Sequence, residues 1–392
     1  MVRASALLYA IVICVLIGGL CASLVFLAEL NGMLRAKSYY ADLLLLENQS
    51  QFNLYLDNGN QSEDFQINES IESESDLLSW GGFSVLRVRS TFKNDSLHRC
   101  GLIGEVIDDN TALYVVDNSR PLKVSGSVQV LGDVYISDFG MKKSYLSTKY
   151  PNKISIKKNQ IKKSKPTLPS IQKINWRKYF RRGSAVKADQ GKDYVRSFRD
   201  STLVLDVSSI SLNSATYRGN IILQSPSKLI VKRSTILEDV IVVAPSVEIE
   251  SGFVGSAQFF IQQDFLLEEE AVLKFPSLIY ADGYSGKQVV LNEDSQFIGN
   301  IIIASETEQK QDVVIEEGCN FVGNIYSVGS VEFKDKIIGS VYAQKLKLNT
   351  LSSSYENTLF NNTIDRYSLP VGFAGLPFID DQKRKIFIKE LD

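Results

Sequence analysis

Histidine, cysteine and tryptophan are scarce in this sequence of 392 residues, and their scarcity excludes several kinds of chemistry. The only histidine, His98, lies beside a predicted turn and is interpreted as a structural or surface residue, so a histidine-dependent triad has no candidate. Four cysteines without a Cys-x-x-Cys pair argue against a structural zinc site. A Gly-x-Ser-x-Gly elbow and a phosphate-binding glycine loop are also missing. The sequence therefore predicts a non-enzymatic protein with no catalytic residue, metal site or cofactor.

The four cysteines divide into two pairs by their surroundings. Cys14 and Cys21 lie within an apolar N-terminal run, whereas Cys100 and Cys319 lie in the remainder of the chain. The second pair has two interpretations. An oxidising compartment would allow one long-range disulfide, and otherwise both residues are isolated buried thiols. We favour the thiols.

One long hydrophobic run is present, at the N-terminus. Residues 6–28 contain no charged side chain, and a helix of 23 residues at about 1.5 Å per residue can cross a hydrocarbon layer about 30 Å thick. Helical apolar spacing continues through Glu47. We therefore predict one long helix over residues 5–47, half in lipid and half packed on a domain. The alternative is a signal peptide that is cleaved at Ala22-Ser23.

The first ten residues, Met-Val-Arg-Ala-Ser-Ala-Leu-Leu-Tyr-Ala, resemble the N-terminus of minor pilins and pseudopilins over about 40 residues. The resemblance implies a cytoplasmic leader of residues 1–4, with cleavage after Ala4 and a mature chain that starts at Ser5. Ala4 replaces the usual glycine and Tyr9 replaces the usual glutamate, which points to a tip or minor subunit. The resemblance also implies a bacterial inner-membrane protein whose body lies in the periplasm or at the cell surface.

Residues 48–141 are predicted to form a small β-rich domain, and the pilin resemblance implies that this domain is pilin-like. The polar, acidic stretch 48–77 is expected to be a loosely packed excursion. Alternating apolar residues then predict short strands, with a hairpin turn at Lys93-Asn-Asp-Ser, residues 93–96. A helix packed on an antiparallel sheet is the arrangement that the pilin resemblance implies.

Residues 142–200 are strongly basic, with 18 Lys or Arg and three Asp, although the whole chain has a net charge of −2. We interpret this segment as a linker or insertion. It is either a basic strap on an acidic body or a contact for a surface polyanion through Lys142–Arg199. Trp176, Tyr179 and Phe180 among the charges would suit stacking on nucleic acid. An anchored chain without a nucleic-acid motif makes that partner unexpected.

Residues 201–349 alternate short apolar β-forming runs with small turn residues, and a Gly-Asn-Ile signature recurs. This pattern predicts a parallel β-helix, because one short coil cannot bury its own apolar face and must stack on others. Residues 350–392 lose the repeat and are predicted to be a C-terminal cap and tail. Over about residues 215–349 the repeat resembles bactofilin-like, polymer-forming β-helices. The predicted turn residues are Gly219, Asn220, Gly299, Asn300, Gly323, Asn324 and Gly339.

Some β-helices cleave polysaccharides with carboxylates on one outer face, which keeps a third function open. The carboxylates that could serve here are interpreted as solvated acids at coil turns. They are Asp239, Asp264, Asp282, Asp294, Glu316 and Glu317.

The predicted fold is mainly β: a transmembrane helix extends into a small α+β domain, followed by a parallel β-helix with a C-terminal cap. The predicted function is a membrane-anchored structural subunit of a pilus, a pseudopilus of the type II secretion kind, or a surface assembly. Its expected partners are the lipid bilayer and other envelope or pilin-like subunits. The alternatives are a polysaccharide or cell-wall binding module and a glycan-active enzyme.

Overall fold

The computed structural model describes residues 2–58, 70–106, 109–146, 153–180, 185–208, 211–282, 287–304, 311–379 and 384–391. It is mainly β, with a long apolar N-terminal helix and a parallel β-solenoid of about nine turns, which confirms the predicted fold class. The chain divides into two compact units. The first comprises Met1–Asp76 and Arg87–Arg99, and the second comprises Leu77–Leu86 and Cys100–Asp392.

The helix α1 spans Val2–Asn58 and ends beyond the predicted boundary at residue 47. Leu44, Asn48, Phe52 and Tyr55 are buried, and their spacing of three to four residues places them on one helix face. The sequence concealed this extension because a buried position is occupied by asparagine. The Asn48 amide donates to Val88 O and Ser90 Oγ, both at 3.2 Å, so its burial is satisfied by hydrogen bonds.

Three antiparallel strands follow: β1 Glu72–Trp80, β2 Phe83–Phe92 and β3 Asp95–Val106. The turn Lys93-Asn94 joins β2 to β3, at the position predicted for a hairpin. The expectation of a loose excursion over residues 48–77 is wrong for residues 48–58, which belong to α1, and for residues 72–77, which belong to β1. That strand is exposed along most of its length, so its polar composition is compatible with a sheet. Residues 59–69 lie outside the described residues.

The solenoid begins far earlier in the chain than residue 201. Seven strands between residues 111 and 163 belong to its parallel ladders: β4 Thr111–Val115, β5 Leu122–Ser125, β6 Ser127–Leu131, β7 Asp133–Ile136, β8 Met141–Lys143, β9 Lys153–Ser155 and β10 Ile161–Lys163. Part of the predicted β-rich domain and part of the predicted basic linker are therefore solenoid coils.

The next eighteen strands build the continuous part of the solenoid. They are β11 Val186–Lys187, β12 Tyr194–Arg196, β13 Leu203–Asp206, β14 Thr216–Gly219, β15 Ile221–Gln224, β16 Leu229–Val231, β17 Ile236–Glu238, β18 Val240–Ala244, β19 Val247–Ile249, β20 Val254–Gly255, β21 Ala257–Ile261, β22 Phe265–Leu267, β23 Val272–Ala281, β24 Lys287–Leu291, β25 Gln296–Ile303, β26 Gln311–Ile315, β27 Asn320–Phe333 and β28 Lys336–Asn349.

A typical coil gives one strand to each of three parallel ladders, as β17, β18 and β19 do. We call the ladder that contains β18 the front ladder. It runs through β13, β15, β18, β21, β23, β25, β27 and β28 and continues through β4, β7 and β10. Side chains such as Leu223, Val242 and Phe259 point inward from it and are fully buried, which forms the core.

The last strands are β29 Ser354–Glu356, β30 Thr358–Phe360, β31 Thr363–Asp365 and β32 Arg384–Leu391. Residues 350–392 were predicted as a cap and tail, but β31 is an inner rung that pairs with β28 on one side and with β6 on the other. β32 leaves the solenoid and pairs antiparallel with β3 through Cys100–Val106.

The stacked coils are therefore not continuous in sequence, and we call the noncovalent junction between β31 and β4 the seam. The chain leaves the solenoid after β31, and β4 takes the next position by pairing with β28. Hydrogen bonds close the seam: Arg366 Nε donates to Asp109 O at 3.1 Å, and Ser340 Oγ donates to Thr111 O at 2.6 Å. The coils of residues 111–163 thus stack on coils that lie some 200 residues later in the chain.

Candidate functional site

The N-terminal part of α1 is long and apolar enough to cross a membrane. The qualifying stretch is Ala6–Asp57, and its most apolar window is wholly uncovered by the described residues of the chain. The proposed processing residues, Ala4 and Ser5, lie in the first turns of this helix. The prediction that cleavage occurs between them stays a prediction.

The C-terminal part of α1 packs within the first unit. Tyr40 stacks on Phe92 with ring centroids 4.2 Å apart, and the Arg99 guanidinium lies 4.2 Å from the Phe52 ring. Burial raises the pKa of Tyr55, with a smaller contribution from the Asp76 carboxylate. One continuous helix therefore has an uncovered apolar half and a half with a hydrophobic and polar packing surface.

Three of the predicted turn glycines form a stack in the front ladder. Gly299, Gly323 and Gly339 are direct partners on neighbouring strands. A Cβ on Gly323 would lie 1.7 Å from Gly299 O, and one on Gly339 would lie 1.8 Å from Gly323 O. The backbones approach so closely that only glycine fits, and the φ angle of +144° at Gly323 also favours glycine.

Two of these glycines, Gly299 and Gly323, are followed by asparagines that are buried and bonded to each other. Asn324 Nδ2 donates to Asn300 Oδ1 at 2.9 Å, and Asn300 Nδ2 donates to Ala374 O at 3.1 Å. The motif therefore fixes the crossing segment after β31 against the solenoid, a structural role.

The fourth copy, Gly219-Asn220, is not part of this stack. Cross-strand register places Ile222, not Asn220, in the column of Asn300, so this copy is displaced by two residues. Gly219 is instead a partner of Arg196, and Asn220 Nδ2 donates to Asp200 O at 2.8 Å. A signature of three residues does not determine how its strand is aligned with the neighbouring strands. The four copies were therefore predicted to be equivalent, although one of them lies in a different register.

An aromatic column, which the sequence analysis missed, runs along the outside of the front ladder. One register position holds six rings, with Ile302 interposed; these are Tyr135, Tyr114, Tyr342, Tyr326, Tyr280 and Phe260. A signal was present, because Tyr326 and Tyr342 each stand three residues after a stacked glycine.

The segment 164–180, which we call the strap, covers this column. Tyr114 OH donates to Thr167 O at 3.1 Å, and Tyr326 OH donates to Pro169 O at 3.0 Å. Farther along, Tyr179 packs on Phe260 with centroids 5.5 Å apart. The strap joins β10 at one end of the solenoid to β11 at the other. The aromatic column is thereby mostly buried and is not an open sugar-binding strip.

A cleft of about 460 Å³ lies between the strap and two coil corners. Trp176 and Phe180 are the aromatic residues of its lining, and Pro226 and Pro245 also line it. Arg177 and Gln262 supply polar groups. A volume in this range and a mostly apolar lining with a few polar groups are typical of small-ligand sites.

The predicted carboxylates are distributed over several turns. Asp264 Oδ1 accepts a hydrogen bond from Gln288 N at 3.2 Å, and Glu316 pairs with Lys334. Asp239 differs from these because it is largely buried, and Lys389 Nζ lies 2.6 Å from its Oδ1. Burial raises the pKa of Asp239, and the neighbouring Lys389 opposes this rise only in part.

The four cysteines are thiols and form no disulfide with one another. Cys100 and Cys319 are buried, and burial raises the pKa of Cys319 to about 11, so its thiolate is strongly disfavoured at neutral pH. Among the described residues, no group of three or more His, Cys, Asp or Glu side chains could hold a metal ion. Comparisons with protein-family models, with curated proteins and with solved structures gave no match for this chain.

Proposed function

We propose that this protein is a membrane-anchored, non-enzymatic structural subunit of a pilus, pseudopilus or other cell-surface assembly. One observation carries the proposal: α1 is continuous from an uncovered apolar half into a half that is packed in a folded unit. Its 57 residues extend about 85 Å, whereas a bilayer core needs only about 20 residues.

The part of the helix beyond the membrane segment supports an assembly role. Leu30, Met33 and Leu34 are exposed and follow the i, i+3, i+4 spacing of one helix face. Such a face suits packing against helices of other envelope or pilin-like subunits. The proposal includes a bacterial inner-membrane anchor, with the body in the periplasm or at the cell surface.

Mass spectrometry of the mature N-terminus, on protein from native membranes, tests the proposal. A chain that starts at Ser5 would support processing of the pilin kind. A start at Met1 or Val2 would refute that processing and leave a plain anchored solenoid. A start near Ser23 would refute the anchor itself.

A second candidate function is a glycan-binding module, favoured by the cleft beside Trp176 and Phe180. Aromatic faces and a few polar groups suit a sugar ring. Binding of the wild type to uncharged glycans on an array should be lost in Phe180→Ala and kept in Phe139→Ala, since Phe139 is an exposed aromatic residue elsewhere. Equal binding by the two variants would refute a site in the cleft.

A further inference from the structure

The basic charge that the sequence shows over residues 142–200 is densest at one end of the solenoid. Strands β8, β9 and β10 form its terminal rungs and pair with β5, β6 and β7 of the preceding coil. Within the described ranges, no strand pairs with their opposite edges. We call residues 141–146 and 153–165 the end coil.

The end coil carries charge of one sign only. It contains eight lysines and no Asp or Glu. Two lysines are neutralised by acids of the preceding coil: Lys162 Nζ lies 2.7 Å from Asp133 Oδ2, and Lys163 Nζ lies 3.0 Å from Asp138 Oδ1. The other six are exposed and in no ion pair that the described residues form; they are Lys142, Lys143, Lys153, Lys157, Lys158 and Lys165.

Like charges are also placed side by side. Lys142 on β8 is the direct register partner of Lys123 on β5, and both side chains are exposed. Neighbouring strands lie only about 4.8 Å apart, so the two ammonium groups repel each other. An anion that lies across both rungs would remove this repulsion.

Protection of a free sheet edge explains only part of this pattern. Charged residues on edge strands prevent association with other strands, and lysine is common there. Charges of either sign on the edge strands would protect the edge, so protection does not require that all of them be positive. A surface of uniformly positive charge, with most of its lysines unpaired, is in addition complementary to a polyanion.

We propose that the end coil binds an acidic polysaccharide through its unpaired lysines. Flexible ammonium groups act as point charges and suit a repeating carboxylate or sulfate polymer without fixed geometry. Nucleic acid fits less well, because Tyr145 is the only aromatic residue of the end coil, whereas single-stranded nucleic acid is bound by stacking of successive bases on several rings. This surface is separate from the aromatic cleft. The inference rests on the proposed function in one respect only: the membrane anchor determines in which compartment the protein encounters the polysaccharide.

Binding is measured with the full-length protein in nanodiscs of zwitterionic lipid. Immobilised polygalacturonate and heparin serve as the acidic polysaccharides, and dextran and single-stranded DNA are the comparison polymers. The wild type should bind both acidic polysaccharides, about tenfold more weakly when sodium chloride rises from about 50 mM to about 200 mM, because salt screens such contacts. A variant with four substitutions, Lys142→Glu, Lys153→Glu, Lys157→Glu and Lys158→Glu, should lose at least about tenfold in affinity.

Two matched variants make the outcome decisive. Arginine at the same four positions keeps the charge and should keep binding, and Lys274→Glu with Lys336→Glu changes exposed lysines elsewhere and should also keep it. The glutamate variant retains a charged edge and should stay monodisperse. Equal losses in the glutamate variant and the control would overturn a localised site. Tighter binding of DNA than of the polysaccharides, or no polysaccharide binding by the wild type, would overturn the proposed ligand. These outcomes do not depend on how the N-terminus is processed.

Discussion

Glycine at positions 299, 323 and 339 is required by the closeness of successive backbones in the front ladder. A Cβ atom added at any of these three positions would lie 2.0 Å or less from a backbone carbonyl oxygen of the preceding strand. The flexible end of a neighbouring side chain could move aside, but a backbone carbonyl within a paired ladder cannot move without breaking that pairing. These residues therefore set the spacing of three consecutive coils.

Gly323→Ala should destabilise the solenoid by about 3 kcal/mol, from left-handed backbone strain and forced separation of the rungs. The melting temperature of the solenoid should fall by about 5–10 °C. Gly372→Ala is the matched control, because nothing lies within 4 Å of its Cβ position. Indistinguishable melting of the two variants would show that the stack tolerates a side chain.

Asp239 makes stability depend on pH with a defined sign. Its pKa in the folded state is raised by burial, so the folded protein holds this proton more tightly than the unfolded chain does. Its contribution to the free energy of unfolding therefore rises as the pH falls from 7 towards the usual pKa of 3.8. It is lost as the pH rises through the folded-state value.

Asp239→Asn should therefore reduce the gain in stability between pH 7 and about pH 4, measured as the denaturant midpoint at each pH. Asparagine also tolerates the φ angle of +61° at this position. Asp264→Asn, at an exposed carboxylate, should preserve the wild-type dependence. If the stability of Asp239→Asn depends on pH as that of the wild type does, the pH dependence arises from other titratable groups.

At the scale of elements, the strap exists because of the route of the chain. The strands at residues 111–163 fill the far end of the solenoid first, so the chain must return to the opposite end before β11. The return path crosses the aromatic column, and the strap supplies Ile171, Trp176 and Tyr179 to cover it. A basic composition alone could not reveal that these three residues of the segment are buried.

Tyr179→Ala should release the strap locally, because the phenol packs on Phe260 and accepts a hydrogen bond from Gly81 N at 2.7 Å. Truncation of a buried aromatic residue costs about 3–5 kcal/mol. Brief trypsin digestion should then cleave after Arg177 or Lys178 much faster than in the wild type, as seen by mass spectrometry of the fragments. Tyr145→Ala is the control, because Tyr145 is 81% exposed. Unchanged cleavage in Tyr179→Ala would contradict the anchoring role.

At the scale of the whole molecule, the seam between β31 and β4 decides the topology of the solenoid. Coils from the first half of the chain continue the ladders that its second half begins. Loop-closure entropy opposes pairing between such distant segments, so these contacts require the surrounding coils to be formed.

The seam predicts a specific cross-link. Thr363 and Gln129 are register partners, so cysteines at both positions should form a disulfide on mild oxidation after Cys14 and Cys21 are replaced by alanine. The control pairs Thr363→Cys with Ser155→Cys, which lies one rung farther from Thr363 and should remain reduced. Peptide mapping distinguishes the two. A cross-link in the control alone would show a different stacking order.

Local patterns determined much of this protein. A charge-free run of 23 residues predicted the apolar helix, and recurring short β-forming runs with Gly-Asn-Ile predicted the parallel solenoid. Both follow from hydrophobic periodicity and turn chemistry, which act between residues close in sequence.

The tertiary structure alone decided where the coils stack, which glycines face each other and what the basic segment covers. Nothing in the local sequence of residues 111–163 indicates that their first strand, β4, pairs with β28. Nothing near Gly219 indicates that its register differs from that of Gly299. Stacking order and register depend on pairing between segments up to about 230 residues apart, where the local sequence of either partner is compatible with several neighbours. The sequence thus determined the elements, and mutual burial of their faces determined the arrangement.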